Sequence, residues 1–164
     1  MFQIGDKIVY SVYGICRISD IVEKEVGDVK RKYYELAPLS DGRSTIFTPV
    51  DSTKVLLRPV ISKNQAIELL ENSDSVDMEW PDNVWKRNQE FKVITQNADL
   101  QENISLYKLL VSRRQELSEA GKKMIIQDSK MLELVSKLVF AELKEVLGVE
   151  DDEIEKMMCE KAVN

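Results

Sequence analysis

Apolar and polar residues alternate with a period near two through the first sixty positions, and the period changes to 3.6 after Ser62. Lys7-Ile8-Val9-Tyr10 opens a strand behind Gly5-Asp6, and Ser11-Val12-Tyr13-Gly14 turns it into a second from Ile15 to Ile21. A Gly27-Asp28 turn introduces a third strand, Lys30 to Leu36, and Ser40-Asp41-Gly42 a fourth, Arg43 to Thr48. Val55 to Val60 makes a short fifth. Five short strands at this spacing predict a partly open small β-barrel or rolled antiparallel sheet.

Beyond it, Ser62 suits the cap of a helix from Lys63 to about Asn72 with Ala66, Leu69 and Leu70 inward. Ser73 to Glu79 is polar and reads as a loop. Trp80-Pro81-Asp82 begins a second helix, to about Gln96, because proline suits a first turn. A third covers Leu100 to Glu116. Ser118-Glu119-Ala120-Gly121 opens a long fourth, ending near Gly148, with Met124, Met131, Val135, Leu138, Val139, Leu143 and Val146 on one stripe. Asp151 or Asp152 caps a short last helix carrying Met157 and Met158. The predicted class is α+β: a small β domain over residues 1–61, then an all-α helical bundle over 62–164.

Composition narrows the chemistry. At 164 residues, 43% hydrophobic and 32% charged, the chain has the makeup of an ordinary folded protein. No apolar run reaches the roughly 18 residues of a membrane span, and the start, MFQIGDKIVY, lacks a signal peptide's basic and apolar regions. A cytoplasmic protein is expected. Histidine is absent, which removes Ser-His and Cys-His nucleophile pairs and histidine-ligated zinc. Cys16 and Cys159 have no metal-like spacing and read as reduced thiols, with a disulfide left open. No phosphate-binding glycine loop and no GxSxG elbow occurs. The acidic run Glu150-Asp151-Asp152-Glu153-Glu155 lacks the glycine and ligand spacing of a calcium loop and suits a helix N-terminus instead. No catalytic residue, metal, cofactor or small-molecule substrate is therefore expected.

The net charge of −6 excludes a protein that coats nucleic acid by electrostatics alone. Residues 1–60 hold nine Lys/Arg against eight Asp/Glu, and the remainder fourteen against twenty-one. Any nucleic-acid contact must be local. Trp85 is the candidate for one. On a helix, Val84, Phe91, Ile94 and Thr95 share a face, and Trp85 lies roughly 130° from its middle, beside Lys86 and Arg87. An aromatic off the buried face among cations suits stacking on or wedging between bases; packing against a neighbouring helix is the plainer reading. Trp80 reads as a packing residue between domains or at the helix start. Lys122-Lys123, placed in a helix's first turn where the dipole disfavours cations, point to an anionic partner; with Arg113-Arg114, solubilising charge is the plainer reading. Ser44-Thr45-Ile46-Phe47-Thr48 could pair with another protein's sheet if it lies on an edge. A central strand is the other possibility.

Gly5-Asp6-Lys7-Ile8-Val9-Tyr10 with Gly14 and Ile18 resembles the opening GDxVVYPxxGxxxI of the CarD/CdnL transcription regulators. Ile46-Phe47-Thr48-Pro49 resembles the strand and proline near the end of their first domain. Trp85-Lys86-Arg87 resembles their tryptophan with basic residues, and Leu117-Ser118-Glu119-Ala120-Gly121-Lys122-Lys123-Met124 resembles their LSxxEKxM helix start. The resemblance implies a Tudor-like N-terminal domain, shared with the transcription-repair coupling factor, that binds the RNA polymerase β subunit strand to strand through Thr45, Ile46, Phe47, Thr48 and Pro49. It implies a helical domain at the upstream edge of the promoter bubble, with Trp85 in the minor groove and Lys86, Arg87, Lys122 and Lys123 around it. Ser11 replaces the usual proline, Phe47 stands where some members have an arginine, and Glu90 lies where a basic residue can occur. The expectation is a monomeric, non-enzymatic regulator that stabilises the open complex. A protein–protein adaptor without DNA contact is the rival, and an enzyme of carboxylates alone a distant third.

Overall fold

The computed structural model describes residues 1–53, 57–72 and 78–159. Among these residues five strands come first, β1 (Lys7–Tyr10), β2 (Ile15–Val26), β3 (Val29–Pro38), β4 (Ile46–Pro49) and β5 (Leu57–Pro59). Five helices follow among them, α1 (Lys63–Glu71), α2 (Val84–Asn97), α3 (Leu100–Glu119), α4 (Ile126–Leu147) and α5 (Asp151–Cys159). The class is α+β, and the chain divides into two compact units, Met1–Val60 and Ile61–Asn164.

The strands form one antiparallel sheet in the order β4-β3-β2-β1-β5. β2 and β3 outrun their expected ends because the hairpin continues to its two-residue turn, where Gly27 takes φ +65°. Opposite charges face each other along that exposed end, Glu23 against Lys32 and Glu25 against Lys30. A bulge between Ile18 and Asp20 adds one residue, so Ile21 points inward with Cys16 and Ile18 despite its odd number. Ile8, Tyr10, Cys16, Ile18, Tyr34 and Leu36 make the core on that face. In the turn after β1, Ser11 adopts φ +45°, a value the proline ring forbids, so this turn departs from one built on proline.

β4 is shorter than expected. Asp41 accepts from the Arg43 N–H at 3.1 Å and from the Ser44 hydroxyl, which holds both residues in a turn and delays the strand to Ile46. In β5 the observed strand spans Leu57–Pro59; the expected Val55 and Leu56 lie outside the described residues, as do residues 73–77 of the expected loop.

In the helical unit, Ser62 caps α1 as expected, and the cap is reciprocal. Its hydroxyl accepts from the Gln65 N–H at 3.1 Å while Gln65 Oε1 accepts from the Ser62 N–H at 2.9 Å. α2 starts at Val84, later than Pro81 suggested, because Asn83 takes the capping role and accepts from the Lys86 N–H at 2.9 Å. The larger correction concerns Ser118 to Gly121. These residues end α3 instead of starting α4. Gly121 takes φ +70°, its N–H donates to Ser118 O at 3.0 Å, and the Lys122 N–H reaches back to Leu117 O at 2.7 Å. That pair of bonds is a Schellman stop, which a glycine makes cheap. α4 then begins at Ile126. Its stripe is largely the expected one, with Met131, Val135, Val139 and Leu143 buried, joined by Leu132 and Glu142. The apolar ones among them pack with Phe91, Leu106, Leu110, Ile154 and Met158. Among the described residues, no helix is long and apolar enough to cross a membrane.

Burial pushes the Cys16 thiol from 9.0 up to about 11. The folded chain therefore holds this proton more tightly than the unfolded one. The resulting stability is whole below about pH 9 and is lost as the pH climbs towards 11. Urea midpoints measured across that window should fall more steeply for the parent protein than for Cys16→Ala, and thiol reagents at pH 8 should label Cys16 only as the sheet unfolds.

Candidate nucleic-acid and protein interfaces

Arg87, Phe91 and Thr95 follow one another at intervals of one turn on α2, and all three are buried. Phe91 and Thr95 were expected there. Val84 was too, but as the first helical residue it lies beyond the core and stays exposed. Arg87 takes the place, which corrects its assignment to the DNA-contacting cations: only 5% of it is exposed.

All three nitrogens of its guanidinium are engaged. Nε donates to Asp128 Oδ1 at 3.0 Å and Nη2 to Asp128 Oδ2 at 2.8 Å, a two-pronged pair with the first turn of α4. Nη1 donates to the carbonyls of Pro81 at 2.8 Å and Asp82 at 3.3 Å, which ties down the segment before α2. The same group lies over the Trp80 ring at 4.5 Å, with Arg113 at 5.4 Å and the Phe91 ring at 5.8 Å. Trp80 thus packs where α2 starts, one of the two roles expected of it.

Sequence reasoning missed this cluster, although a signal existed. Asp128 precedes Met131, Leu132 and Val135 on the buried stripe of α4, just as Arg87 precedes Phe91 and Thr95 on that of α2. One acid and one base on two inward faces are a matched pair.

Trp85, two residues before Arg87, points away from this packing and is 72% exposed. Lys86 is exposed beside it and pairs with Glu90 at 3.8 Å, one turn on. Lys122 and Lys123 are exposed in the link that leads into α4. Because they follow the C-terminus of α3, the dipole there favours cations, and the electrostatic reason given for an anionic partner reverses. Of the five residues expected around DNA, Trp85, Lys86, Lys122 and Lys123 are therefore accessible and Arg87 is structural.

In the sheet, among the described residues, β4 pairs only with β3 and forms an edge. The Val50 N–H donates to Lys32 O at 3.0 Å, which sets the alternation of the ladder. It directs the N–H and C=O of Phe47 outwards, while Pro49 has no N–H to offer. Ile46 and Thr48 face the core, Thr48 fully buried. Phe47 projects from the other face, 42% exposed, with the Lys24 ammonium 3.3 Å above its ring. Thr45 is exposed just before the strand.

The acidic start of α5 turns on Lys144, which lies 3.2 Å from Asp151 and 3.6 Å from Glu150. The Asp151 hydrogen bond, with both carboxylate charges, raises the affinity of Lys144 for its proton. Among the described residues no three His, Cys, Asp or Glu side chains converge as a metal site would require.

Two similarities to known proteins bear on these surfaces. Residues 2–61 match the family described as the CarD-like/TRCF RID domain. Over 163 residues the chain is 28% identical to YdeB of Bacillus subtilis (strain 168), whose name proposes a transcription-factor role; the match covers 94% of this chain and 97% of that protein.

Removing one partner of a buried ion pair leaves the other charge unpaired, so Arg87→Ala should cost about 3–5 kcal/mol in urea unfolding. Lys86→Ala, next to it but solvated, should change stability by less than about 0.5 kcal/mol. Equal effects at the two positions would contradict the structural role given to Arg87.

Proposed function

We propose that this chain, whose residues 2–61 belong to the CarD-like/TRCF RID domain family, is a transcription regulator with two contacts. Its coarse role, transcription through interaction with RNA polymerase, follows from that family and from the likeness to YdeB. The finer reading assigns the β subunit of polymerase to the edge strand β4 and promoter DNA, at the upstream edge of the bubble, to the helical unit. In this reading the protein acts in the cytoplasm as a monomer, stabilises the open complex and carries out no chemistry of its own.

The observation that carries the DNA half is the exposure of Trp85 on a helix whose start is held by Arg87. A tryptophan with 72% of its surface in water costs solubility and contributes little to the core. Its flat ring suits a base step or the wall of a minor groove. The polymerase half is supported by the open edge of β4. The main chain of Phe47 offers a donor and an acceptor to an incoming strand, and its ring offers an apolar contact. Phosphate neutralisation is a minor part of the DNA contact, because Lys86 is partly matched by Glu90.

The acidity of the second half favours the other reading, an adaptor whose helical unit binds protein. Two substitutions separate them. Phe47→Asp should weaken polymerase binding by about thirtyfold, the size of a hot-spot loss, and abolish promoter effects with it. Trp85→Ala should leave polymerase affinity unchanged and shorten the open-complex lifetime about tenfold, in keeping with the loss of one stacked aromatic. Should Trp85→Ala retain the full promoter effect, the DNA contact is lost as an explanation and the adaptor remains.

A further inference from the structure

On α1 the inward face is buried at Ala66 and Leu70, while Ile67, one position round the helix from Ala66, is 40% exposed. Ile67 opens on a cleft of about 430 Å³, whose other apolar walls are Leu70, Leu147, Val149 and Met157. Lys63 and Glu71, the first and last residues of α1, line the same cleft. Positions 63, 67 and 71 follow one another at intervals of four. The two charges therefore lie within about 40° on either side of Ile67 and about 12 Å apart along the axis.

Both charges run against the helix that carries them. The helix dipole favours acids in the first turn and bases in the last. α1 has no acid in its first turn and no base in its last, and holds Lys63 and Glu71 the other way round. Between them, Ile67 places a β-branched residue at a half-solvated position in mid-helix. Three successive positions on one stripe thus forgo local stability, the mark of a surface kept for something outside the unit.

The stripe is its own complement. Two copies of α1 laid antiparallel about a two-fold axis at Ile67 bring Lys63 of each against Glu71 of the other. The two Ile67 side chains then meet at the axis, beside the apolar cleft. Such a contact is isologous, the kind that closes a two-fold dimer. We propose that the free chain self-associates in this way, with a second copy of α1 as the occupant of the cleft. Charge favours that occupant: residues 61–164 hold fourteen basic against twenty-one acidic residues, and a stripe carrying one of each at matched spacing meets its own copy without repulsion. A helix of 9 residues on each side falls short of the roughly 1,200 Å² that a stable interface buries. The dimer is accordingly weak, a form of the free protein that separates before a single chain binds polymerase. It requires neither the β4 edge nor Trp85, so it stands apart from the function proposed above.

Sedimentation equilibrium of the full chain between about 10 µM and about 1 mM covers the range of so small an interface and should show monomer and dimer in exchange. Lys63→Glu and Glu71→Lys each set two like-charge pairs across the axis, and each should weaken dimerisation about tenfold or more. Both substitutions place the charge that the dipole favours, so the thermal midpoint should hold or rise. Mixed in equal amounts, the two variants should dimerise again, because the first carries an acid at both ends of the stripe and the second a base at both. Association that neither substitution changes, or that mixing does not restore, would put the dimer on another surface and overturn the proposal. A chain that stays monomeric throughout overturns it as well. If its Ile67 and Val149 methyl signals then shift on addition of RNA polymerase holoenzyme, the cleft belongs to that partner instead.

Discussion

The helical unit turns on one buried ion pair. Taking Arg87 and Asp128 out of water is expensive, and a well-packed apolar pair of similar volume would often be as stable or more so. The geometry explains what is gained instead. Two prongs reach α4 and a third nitrogen reaches the carbonyls of Pro81 and Asp82, so a single side chain sets where α2 begins and which turn of α4 it meets. Apolar contacts alone would permit sliding by a fraction of a turn. A guanidinium satisfied at 2.8–3.3 Å on several sides does not.

That constraint explains how a tryptophan can remain in water two residues away. Trp80, the other tryptophan, is held between Arg87, Arg113 and the edge of Phe91 and belongs to the packing. Trp85 is excluded from it by the position of Arg87 on the same helix: if Arg87 faces α4, a residue two positions earlier faces the opposite side. The two tryptophans thus divide the labour, one securing the start of the helix and one presented by it.

Much of this was legible in the residues. The period change at Ser62, the Gly27-Asp28 hairpin, the cap at Ser62 and the stripe of α4 follow from local rules that the structure obeys. Helical rotation offered the exposure of Trp85 as one of two readings, beside the plainer one of packing against a neighbouring helix, and the structure shows the exposed one. The failures are equally physical. Ser118-Glu119-Ala120-Gly121 has the composition of a helix start as well as of a helix end, and the outcome depends on whether Gly121 turns left-handed, a property the composition does not declare. Arg87 looked like a surface cation because its run with Lys86 was read as charge; only its spacing from Phe91 and Thr95 placed it inside. The edge position of β4 depends on the order in which strands assemble, which periodicity cannot encode.

The distribution of charge bears on how such a protein would find and hold DNA. Each lysine on a phosphate adds about one unit to the salt dependence of binding, and the accessible cations expected around DNA are few. A net charge of −6 opposes even that attraction at long range. Affinity for DNA must then come mainly from apolar contact, which is short-ranged and needs the groove to be brought within reach. In the proposed reading, binding to polymerase through the β unit would supply that proximity, because a tethered contact acts at an effective concentration in the millimolar range for a short linker. Weak intrinsic DNA binding would, in the proposed reading, be a source of selectivity: an acidic chain is repelled by bulk DNA, and its exposed apolar side chains would act only where polymerase had already placed them.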